Sequence, residues 1–334
     1  MAGACILGCA GPGLAPDERR LFARIDPWGF ILFARNVETP GQLLRLTSEL
    51  RDSVGRDAPV FIDQEGGRVA RLGPPHWRPW PPPLCTAQAA ADTARAARAL
   101  WLRYRLIAAE LRAAGIDGNC APVADIAGPA THPFLANRCY GSTAPAVAAI
   151  ARAVAMALLD GGVLPVVKHI PGHGRATADS HTALPRVDAS RADLEASDFA
   201  PFRALADLPL AMTAHVLFAD IDPDRPATCS PKVLGMVRRD IGFGGLLMSD
   251  DISMGALAGS IAERSAAARA AGCDVVLHCN GDAGEMAAVA EAAGRLAGPE
   301  LARAGAALAR RHHPQDVDIA ALEAEAWGLD GRRE

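Results

Sequence analysis

Residues 163–181 read VLPVVKHIPGHGRATADSH and contain the clearest indication of the fold. A continuous apolar run ends at Lys168 and His169, and a loop rich in glycine and histidine follows it. Continuous rather than alternating hydrophobicity is typical of a strand that is buried on both faces, as in a parallel sheet covered by helices. The stretch therefore predicts a core strand of an α/β protein whose carboxyl end opens into a polar loop.

The same unit recurs along the chain. Eight short apolar runs alternate with longer amphipathic runs, which is the βαβα order of a parallel sheet. The predicted strands lie near residues 4–9, 28–34, 59–63, 116–121, 163–168, 209–215, 244–249 and 273–278. The predicted helices lie at residues 40–55, 88–114, 142–160, 190–206, 231–240, 257–271 and 281–297.

Eight strands with interleaved helices predict a closed (β/α)8 barrel of the TIM type. The chain has 334 residues, and such barrels run from roughly 200 to over 400 residues. We therefore expect a single catalytic domain over residues 1–334, in which residues 299–334 form a C-terminal helix and tail. An open doubly wound sheet is the structural alternative, but no Gly-x-Gly-x-x-Gly fingerprint follows the first strand.

Composition narrows the classes of function. The formal net charge of −4 gives no support for binding to nucleic acid or to an acidic membrane surface. No apolar stretch is long enough to cross a bilayer, and no basic region precedes the short apolar run at the N-terminus, so we expect a cytoplasmic protein. The eight cysteines form no Cys-x-x-Cys pair and several lie in apolar runs, which indicates buried, reduced thiols.

Polar side chains collect where the predicted strands end. The carboxyl ends of barrel strands share one face, and that face carries the chemistry in enzymes of this architecture. Because the pattern repeats at most of the strands, it predicts a polar pocket at this face. The polar residues that follow strands are Arg35, Asn36, Asp63, Gln64, Glu65, Lys168, His169, His215, Ser249, Asp250, Asp251, His278 and Asn280.

Two of these strand ends carry a denser set of reactive groups. After the fifth strand, Asp179 and His181 place a carboxylate and an imidazole two residues apart, and the two side chains can meet only if the loop turns there. After the seventh strand, Asp250 and Asp251 stand side by side. Adjacent side chains of an extended segment face opposite ways, so one of these carboxylates should enter the barrel mouth.

These segments, together with Asp63-Gln-Glu-Gly-Gly-Arg68 and Asn137-Arg-Cys-Tyr140, resemble family 3 glycoside hydrolases. The run Lys-His-x-Pro-Gly-His-Gly…Asp-Ser-His at 168–181 resembles the single-domain bacterial β-N-acetylglucosaminidases of peptidoglycan recycling within that family. The likeness extends from about residue 4 to residue 300 in order and spacing. Cys139 and Ile252 depart from the Ser and Leu that are common at these positions.

The resemblance implies a retaining exo-β-N-acetylglucosaminidase that needs no cofactor and no metal ion. It implies that Asp250 is the nucleophile, that His181 is the general acid/base and that Asp179 is the partner of His181. It also implies a small carbohydrate substrate, N-acetylglucosamine linked to anhydro-N-acetylmuramic acid, with or without peptide. The positions that match sugar-binding residues of the family are Asp63, Arg71, Arg138, Lys168 and His169.

The implied roles agree with the chemistry of the residue types. A retaining glycosidase needs a nucleophile and an acid/base on opposite sides of the scissile bond. Imidazole can serve as acid and then as base because its pKa lies near neutrality, and an adjacent carboxylate would orient the ring. The glycines in the loop 170–185 also predict that this loop closes on the substrate.

Several of these residues have a purely structural interpretation. Asp250 could cap a following helix, and His181 could be a solvated loop residue. His173, which lies between two glycines, receives no role, and Glu65 is interpreted as a carboxylate that supports Arg68 or Lys168. His215 and His278 are candidates for hydrogen-bonded histidines of the barrel, and Trp77 and Trp80 of the proline-rich segment 73–83 either stack on a sugar or pack against prolines.

Three other functions remain compatible with the sequence. A β-N-acetylglucosaminide phosphorylase could use the same site, because a histidine acid/base carries no negative charge that would repel phosphate. A metal-dependent barrel hydrolase could use His169, His173, His181 or His215, although no His-x-His follows the first strand. A non-catalytic sugar-binding protein is the third alternative, and it would have little use for an Asp–His pair on a flexible loop.

Overall fold

The structure is a computed structural model that describes residues 1–329. In this part of the chain the strands are short and most of them are completely buried, as continuous apolar runs require. In chain order they are β1 (Gly3–Gly8), β2 (Pro27–Leu32), β3 (Val60–Ile62), β4 (Gln64–Gly66), β5 (Val69–Ala70), β6 (Gly118–Asn119), β7 (Leu164–Ile170), β8 (Arg186–Val187), β9 (Leu210–Thr213), β10 (Leu217–Phe218), β11 (Leu246–Asp251) and β12 (Val275–His278).

Eight of these strands close into a parallel barrel. Their order around the barrel is β1-β12-β11-β9-β7-β6-β3-β2, and each strand predicted from the sequence corresponds to one of them. The predicted (β/α)8 barrel is therefore confirmed. The other strands form two small sheets, in which β4 pairs with β5 and β8 pairs with β10.

Helices fill the connections between the strands and surround the barrel. Several begin at a proline in the first turn, which suits the fixed φ of that residue and its missing N–H. They are α1 (Pro16–Ile25), α2 (Pro40–Val54), α3 (Pro83–Ala89), α4 (Thr93–Ala113), α5 (Pro133–Ala136), α6 (Ala144–Asp160), α7 (Arg191–Ala196), α8 (Ala200–Ala204), α9 (Pro231–Met236), α10 (Ile261–Ala271), α11 (Ala283–Ala293), α12 (Gly298–Ala309) and α13 (Ile319–Leu329).

Local capping explains where the helices differ from the sequence-based expectation. The predicted helix 88–114 is divided into α3 and α4, because Asp92 caps a new helix and accepts a hydrogen bond from the Arg95 N–H at 2.8 Å. The predicted helix 257–271 begins only at α10, where Ser260 and Glu263 form a capping box. The helix α1 was not predicted, and the predicted helix 190–206 is divided into α7 and α8.

The C-terminal part of the chain contains more helix than the predicted helix and tail. Both α12 and α13 lie there, and α13 packs against α4, where Arg98 and Glu325 form an ion pair with a shortest N–O distance of 2.7 Å. The end of the predicted tail, residues 330–334, lies outside the described residues. Within residues 1–329, no helix combines the length and the apolarity that a bilayer crossing requires.

The cysteines of the chain are all free thiols. Cys85 is exposed and Cys229 is partly exposed, whereas the other six are buried in the barrel and its surrounding layer. Burial raises the pKa of Cys5 and Cys9 to about 12, so these thiols stay protonated at neutral pH.

Candidate active site

A cavity of about 210 Å³ opens at the carboxyl ends of the barrel strands. It brings together seven of the eight residues that the sequence singled out for a site. These seven are Asp63, Arg71, Arg138, Lys168, His169, His181 and Asp250. The eighth residue, Asp179, contacts the ring of His181.

Interrupted strand pairing occurs where key side chains enter this cavity. The pairing of β7 with β9 is irregular between Val167 and Ile170, and that of β11 with β12 is irregular between Met248 and Asp251. Irregularities of this kind re-aim side chains at the ends of strands and are frequent beside active sites. The interrupted stretches contain Lys168, His169 and Asp250.

The two adjacent carboxylates at the end of β11 have different surroundings. Asp250 Oδ1 accepts a hydrogen bond from the Asp251 N–H at 2.8 Å, and Asp250 Oδ2 has no hydrogen-bond partner within residues 1–329. Asp251 also borders the cavity, but its carboxylate accepts hydrogen bonds from the N–H groups of Ser253 and Cys279 at 3.1 and 3.2 Å. Asp250 therefore offers a free carboxylate oxygen, whereas Asp251 supports the backbone.

The surroundings of Asp250 keep its carboxyl group ionised. Burial alone would raise the pKa of Asp250, but His215, His169 and the Asp251 N–H outweigh this effect and hold the pKa below its usual value. His215 is fixed in turn, because its Nδ1 lies 2.8 Å from Thr228 Oγ1 and its Nε2 lies 3.0 Å from the Asp251 carbonyl oxygen. His215 is thus a hydrogen-bonded histidine of the barrel that also favours the charged form of Asp250.

A turn in the loop after β7 joins Asp179 to His181. Asp179 Oδ1 lies 2.8 Å from His181 Nδ1 and accepts a second hydrogen bond from the His181 backbone N–H at 3.0 Å. Burial opposes ionisation of Asp179, but the two hydrogen bonds with His181 together outweigh it and lower the pKa of Asp179 below its usual value. An ionised carboxylate at Nδ1 places the ring proton there and leaves Nε2 of His181 for proton transfer.

The loop that carries this pair is folded onto the segment that follows Asp250. The N–H groups of Gly255 and Ala256 donate hydrogen bonds to the carbonyl oxygens of His181 and Ser180 at 3.1 and 3.2 Å. A Cβ atom at residue 255 would lie only 2.9 Å from the His181 carbonyl oxygen, so this close approach requires glycine. The contact explains how His181 and Asp250 come to line one cavity although they are far apart in sequence.

An aromatic ring forms the other support of His181. The ring centroids of Phe134 and His181 are 4.7 Å apart in an edge-to-face arrangement. The guanidinium of Arg68 lies over the same Phe134 ring at 4.1 Å, and that of Arg138 at 5.3 Å. Sequence reasoning gave Phe134 no role, because an isolated phenylalanine in a loop carries no signal of its own.

Asp63 lies between two cations at the base of the cavity. Lys168 Nζ donates a hydrogen bond to Asp63 Oδ1 at 2.7 Å, and Arg71 Nη2 donates one to Asp63 Oδ2 at 3.2 Å. Burial would raise the pKa of Asp63, but the charges of Lys168 and Arg71 outweigh it and lower the pKa below its usual value. The carboxylate is therefore ionised and can accept hydrogen bonds from hydroxyl groups.

Glu65 is the buried carboxylate that joins Lys168 to Arg138. Its Oε1 lies 2.7 Å from Lys168 Nζ, and both of its oxygens accept hydrogen bonds from Arg138, at 2.7 and 2.9 Å. Burial opposes ionisation, but Arg138 and Lys168 lower the pKa of Glu65 to about 2. Of the two cations that the sequence suggested as partners of Glu65, Lys168 forms the ion pair and Arg68 does not; the second partner is Arg138.

Asp125, which sequence reasoning missed, is a buried carboxylate in contact with cavity residues. Its Oδ2 lies 2.7 Å from His169 Nδ1, and its Oδ1 accepts a hydrogen bond from the His173 N–H at 2.6 Å. No periodicity or spacing in the sequence pointed to it, because the strand-like pairing that continues beyond β6, through the bridge between Val123 and Lys168, is visible only in the structure. Asp125 is therefore the polar residue at the true end of the fourth strand.

Two other features of the sequence lie away from the cavity. Trp77 and Trp80 are not among its lining residues, and the proline-rich segment packs against α4, where the Arg103 guanidinium lies 5.6 Å from the Trp80 ring. His278 is buried, and its Nε2 lies 2.9 Å from Glu285 Oε2. In the part of the chain that the structure describes, no three His, Cys, Asp or Glu side chains are grouped so that they could hold a metal ion.

Comparison with known proteins identifies the family. The family described as "Glycosyl hydrolase family 3 N terminal domain" matches residues 17–309. A protein of Alkalilimnicola ehrlichii named Beta-hexosaminidase is 39% identical over 285 residues, which are 84% of this chain and 81% of that protein. A protein of Methylococcus capsulatus with the same name is 39% identical over 309 residues, 90% of each.

A solved structure agrees with these relatives over nearly the whole chain. The crystal structure of NagZ from Neisseria gonorrhoeae in complex with N-trifluoroacetyl-D-glucosamine superposes with a TM-score of 0.86 and 32% sequence identity. The match covers 99% of this chain and 98% of that one. The resemblance seen in the sequence is thus confirmed, and the chain belongs to glycosyl hydrolase family 3 and is a glycoside hydrolase.

Proposed function

We propose that the chain is a retaining exo-β-N-acetylglucosaminidase in which Asp250 is the nucleophile and His181 is the acid/base. The observation that carries this proposal is the shared cavity, which is lined both by His181 and by Asp250, whose Oδ2 has no hydrogen-bond partner within residues 1–329. Two relatives named Beta-hexosaminidase and a structural neighbour that binds an N-acylated glucosamine support a 2-acetamido sugar as the substrate.

In the first step the glycosidic bond is replaced by a bond to the enzyme. Asp250 Oδ2 attacks the anomeric carbon while the imidazolium form of His181, which carries protons on both ring nitrogens, gives its Nε2 proton to the departing oxygen. A glycosyl-enzyme forms, the aglycone leaves neutral, and His181 is left neutral with its proton on Nδ1. In the second step His181 Nε2 takes a proton from water, and the water oxygen attacks the anomeric carbon and releases Asp250. Asp179 stabilises the imidazolium that forms in this step and fixes the ring.

The charged groups at the base of the cavity suit the hydroxyl groups of one terminal sugar. Hydroxyls both donate and accept, so the carboxylate of Asp63 and the cations Lys168, Arg71 and Arg138 can bind neighbouring hydroxyls with charge-assisted hydrogen bonds. His169 adds its Nε2, because Asp125 occupies Nδ1. The cavity of about 210 Å³ is below the roughly 300–1,000 Å³ of sites for drug-sized ligands, which supports removal of a single terminal residue.

The position of Arg68 favours a substrate whose aglycone is acidic. It lies between β4 and β5 at the cavity wall, is exposed, and forms no salt bridge with any residue that the structure describes. Because Phe134 joins it to His181, its charge lies on the side from which the aglycone leaves. This unpaired cation fits a muropeptide fragment, N-acetylglucosamine linked to anhydro-N-acetylmuramic acid with or without peptide, and a role in the cytoplasmic recycling of such fragments.

The test of this function is hydrolysis of a chromogenic β-N-acetylglucosaminide by the purified chain, with and without phosphate. We expect release of free N-acetylglucosamine at a rate that phosphate does not raise, and we expect the Asp250→Asn variant to be inactive. Formation of the sugar 1-phosphate instead of the free sugar would establish the phosphorylase alternative. No turnover with intact binding of N-acetylglucosamine would indicate a sugar-binding protein.

A further inference from the structure

His173 is a buried histidine to which the proposed mechanism assigns no step. It is 3% exposed and lies on the Pro-Gly-His-Gly turn after β7. Its backbone N–H donates to Asp125 Oδ1 at 2.6 Å, and its ring packs edge-to-face on His169 with centroids 5.6 Å apart. A Cβ atom on Gly174 would lie 2.0 Å from the Ile126 carbonyl oxygen, so the backbone beside His173 is tightly enclosed.

The ring of His173 reaches the loop that carries the acid/base pair. His173 Nε2 lies 3.3 Å from Ser180 Oγ, and Ser180 is the residue between Asp179 and His181. Between residues 177 and 184, Ser180 is the one buried side chain, whereas its neighbours are exposed or partly exposed. The hydroxyl of Ser180 is thus the side-chain anchor of an otherwise solvent-facing loop.

The direction of this hydrogen bond follows from the other ring nitrogen. Burial and the charge of His169 lower the pKa of His173 to about 4, so the ring is neutral at neutral pH and carries one N–H. Nδ1 is buried and has no hydrogen-bond partner among residues 1–329. A buried N–H without an acceptor is the rarer defect, so the proton lies on Nε2, which donates to Ser180 Oγ.

We propose that His173 is a positioning residue for the acid/base pair: through Ser180 it holds the loop 177–184 so that His181 faces Asp250. Because Asp125 accepts hydrogen bonds from both His169 and the His173 backbone, the proposal joins the sugar-binding histidine to the acid/base loop through one carboxylate. It rests on the assignment of His181 as the acid/base. It gives His173 no contact with the reacting atoms.

Substrates with different leaving groups can distinguish a loss of positioning of His181 from general structural damage. Protonation by His181 matters for a poor leaving group such as phenoxide and matters little for an activated one such as 2,4-dinitrophenoxide. The measurement is therefore kcat/KM, which reports formation of the glycosyl-enzyme, for the phenyl and the 2,4-dinitrophenyl β-N-acetylglucosaminides. The variants are His173→Phe, which removes the donor, and Ser180→Ala, which removes the acceptor.

We expect each variant to lose about 10-fold in kcat/KM with the phenyl substrate, the upper range for one neutral hydrogen bond, and less than about 2-fold with the activated one. The double variant should be no worse than either single variant, because both remove the same interaction. His173→Gln, whose side-chain amide can donate in place of Nε2, should restore the phenyl rate. Thr177→Ala, an exposed change in the same loop, is the matched control and should resemble the parent.

Equal losses on both substrates, or additive losses in the double variant, would overturn the proposal. Ser180→Ala removes a single oxygen atom, so it provides the same comparison if His173→Phe does not fold. The variant His181→Ala distinguishes a failure of the acid/base assignment from a failure of the positioning role alone. If kcat/KM of His181→Ala falls equally for both substrates, the acid/base assignment itself fails. If it falls mainly for the phenyl substrate while the His173 and Ser180 variants show no such selectivity, only the positioning role fails.

Discussion

Asp179 Oδ1 accepts a hydrogen bond from the backbone N–H of His181 at 3.0 Å and lies 2.8 Å from Nδ1 of the same residue. One carboxylate oxygen therefore fixes both the turn of the chain and the orientation of the imidazole. This double contact explains how a carboxylate and a histidine that are two residues apart in a loop can act as one unit.

Asp179→Asn should impair proton donation without affecting the nucleophile. The neutral amide cannot stabilise the imidazolium, and its N–H group can favour the ring tautomer that has no proton on Nδ1. We therefore expect kcat/KM with a phenyl β-N-acetylglucosaminide to fall by about 10²-fold. The rate with the 2,4-dinitrophenyl substrate should change far less. Asp188→Asn, an exposed carboxylate that pairs with Arg186 at the end of the same loop, is the control. Similar losses in both variants would argue against the Asp–His unit.

Glu65→Gln should both weaken sugar binding and lower the stability of the folded protein. The change removes the charge that compensates Lys168 and Arg138 in a fully buried position, so the free energy of unfolding should fall by roughly 3 kcal/mol. KM should rise by about 10-fold, because two cations of the sugar site lose their fixed geometry. Glu110→Gln provides the contrast, since Glu110 pairs with Arg78 away from the cavity. An unchanged KM in the Glu65 variant would contradict this account of the sugar site.

Arg68→Ala should change the choice of aglycone. The substrates to compare are two β-N-acetylglucosaminides whose aglycones differ only in a carboxylate or its amide. We expect kcat/KM for the acidic aglycone to fall by about 10-fold, the effect of one lost charge-assisted hydrogen bond, and that for the amide to stay constant. Lys232→Ala, an exposed cation at the start of α9, is the control. A loss that is the same for both aglycones would remove the support for an acidic substrate.

The titration of His173 should make the protein less stable in mild acid. Its pKa is about 4 in the folded protein and about 6.5 in an unfolded chain. Between these values the unfolded state binds more protons, so the free energy of unfolding falls as the pH is lowered from about 6.5 to 4, by at most about 1.4 kcal/mol per pH unit. The His173→Gln variant lacks this titration, and chemical denaturation at a series of pH values should give it a flatter curve in this window. Parallel curves for the two proteins would show that His173 does not titrate as described.

Much of the fold could be predicted from the sequence because barrel strands are short and buried on both faces. The runs at 28–34 and 209–215 correspond to β2 and β9, with ends that differ by one or two residues. The division of the predicted helix 88–114 was missed because it depends on the capping hydrogen bond of Asp92. In the sequence, Asp92 looks like any other surface carboxylate. The family resemblance, the barrel and the enzyme class are confirmed.

The sequence predicted which residues line the site better than it predicted the hydrogen bonds between them. Lys168 and Asp250 were recognisable because they end apolar strands, and the structure places both at the cavity. The hydrogen bond from His173 to Ser180 and the carboxylate of Asp125 are tertiary relationships, and neither has a periodicity or a spacing in the sequence. The roles of the site residues in catalysis stay predictions that the variants above address.

The identity of the covalent nucleophile is the most direct test of the mechanism. A fluorinated β-N-acetylglucosaminide with a good leaving group should trap the glycosyl-enzyme, and cleavage after arginine then yields the peptide 240–264, whose carboxylates are Asp240, Asp250, Asp251 and Glu263. Fragmentation by mass spectrometry should locate the sugar on Asp250, and the Asp250→Asn variant should remain unlabelled. A label on Asp251, or on any residue outside this peptide, would show that Asp250 does not attack the sugar.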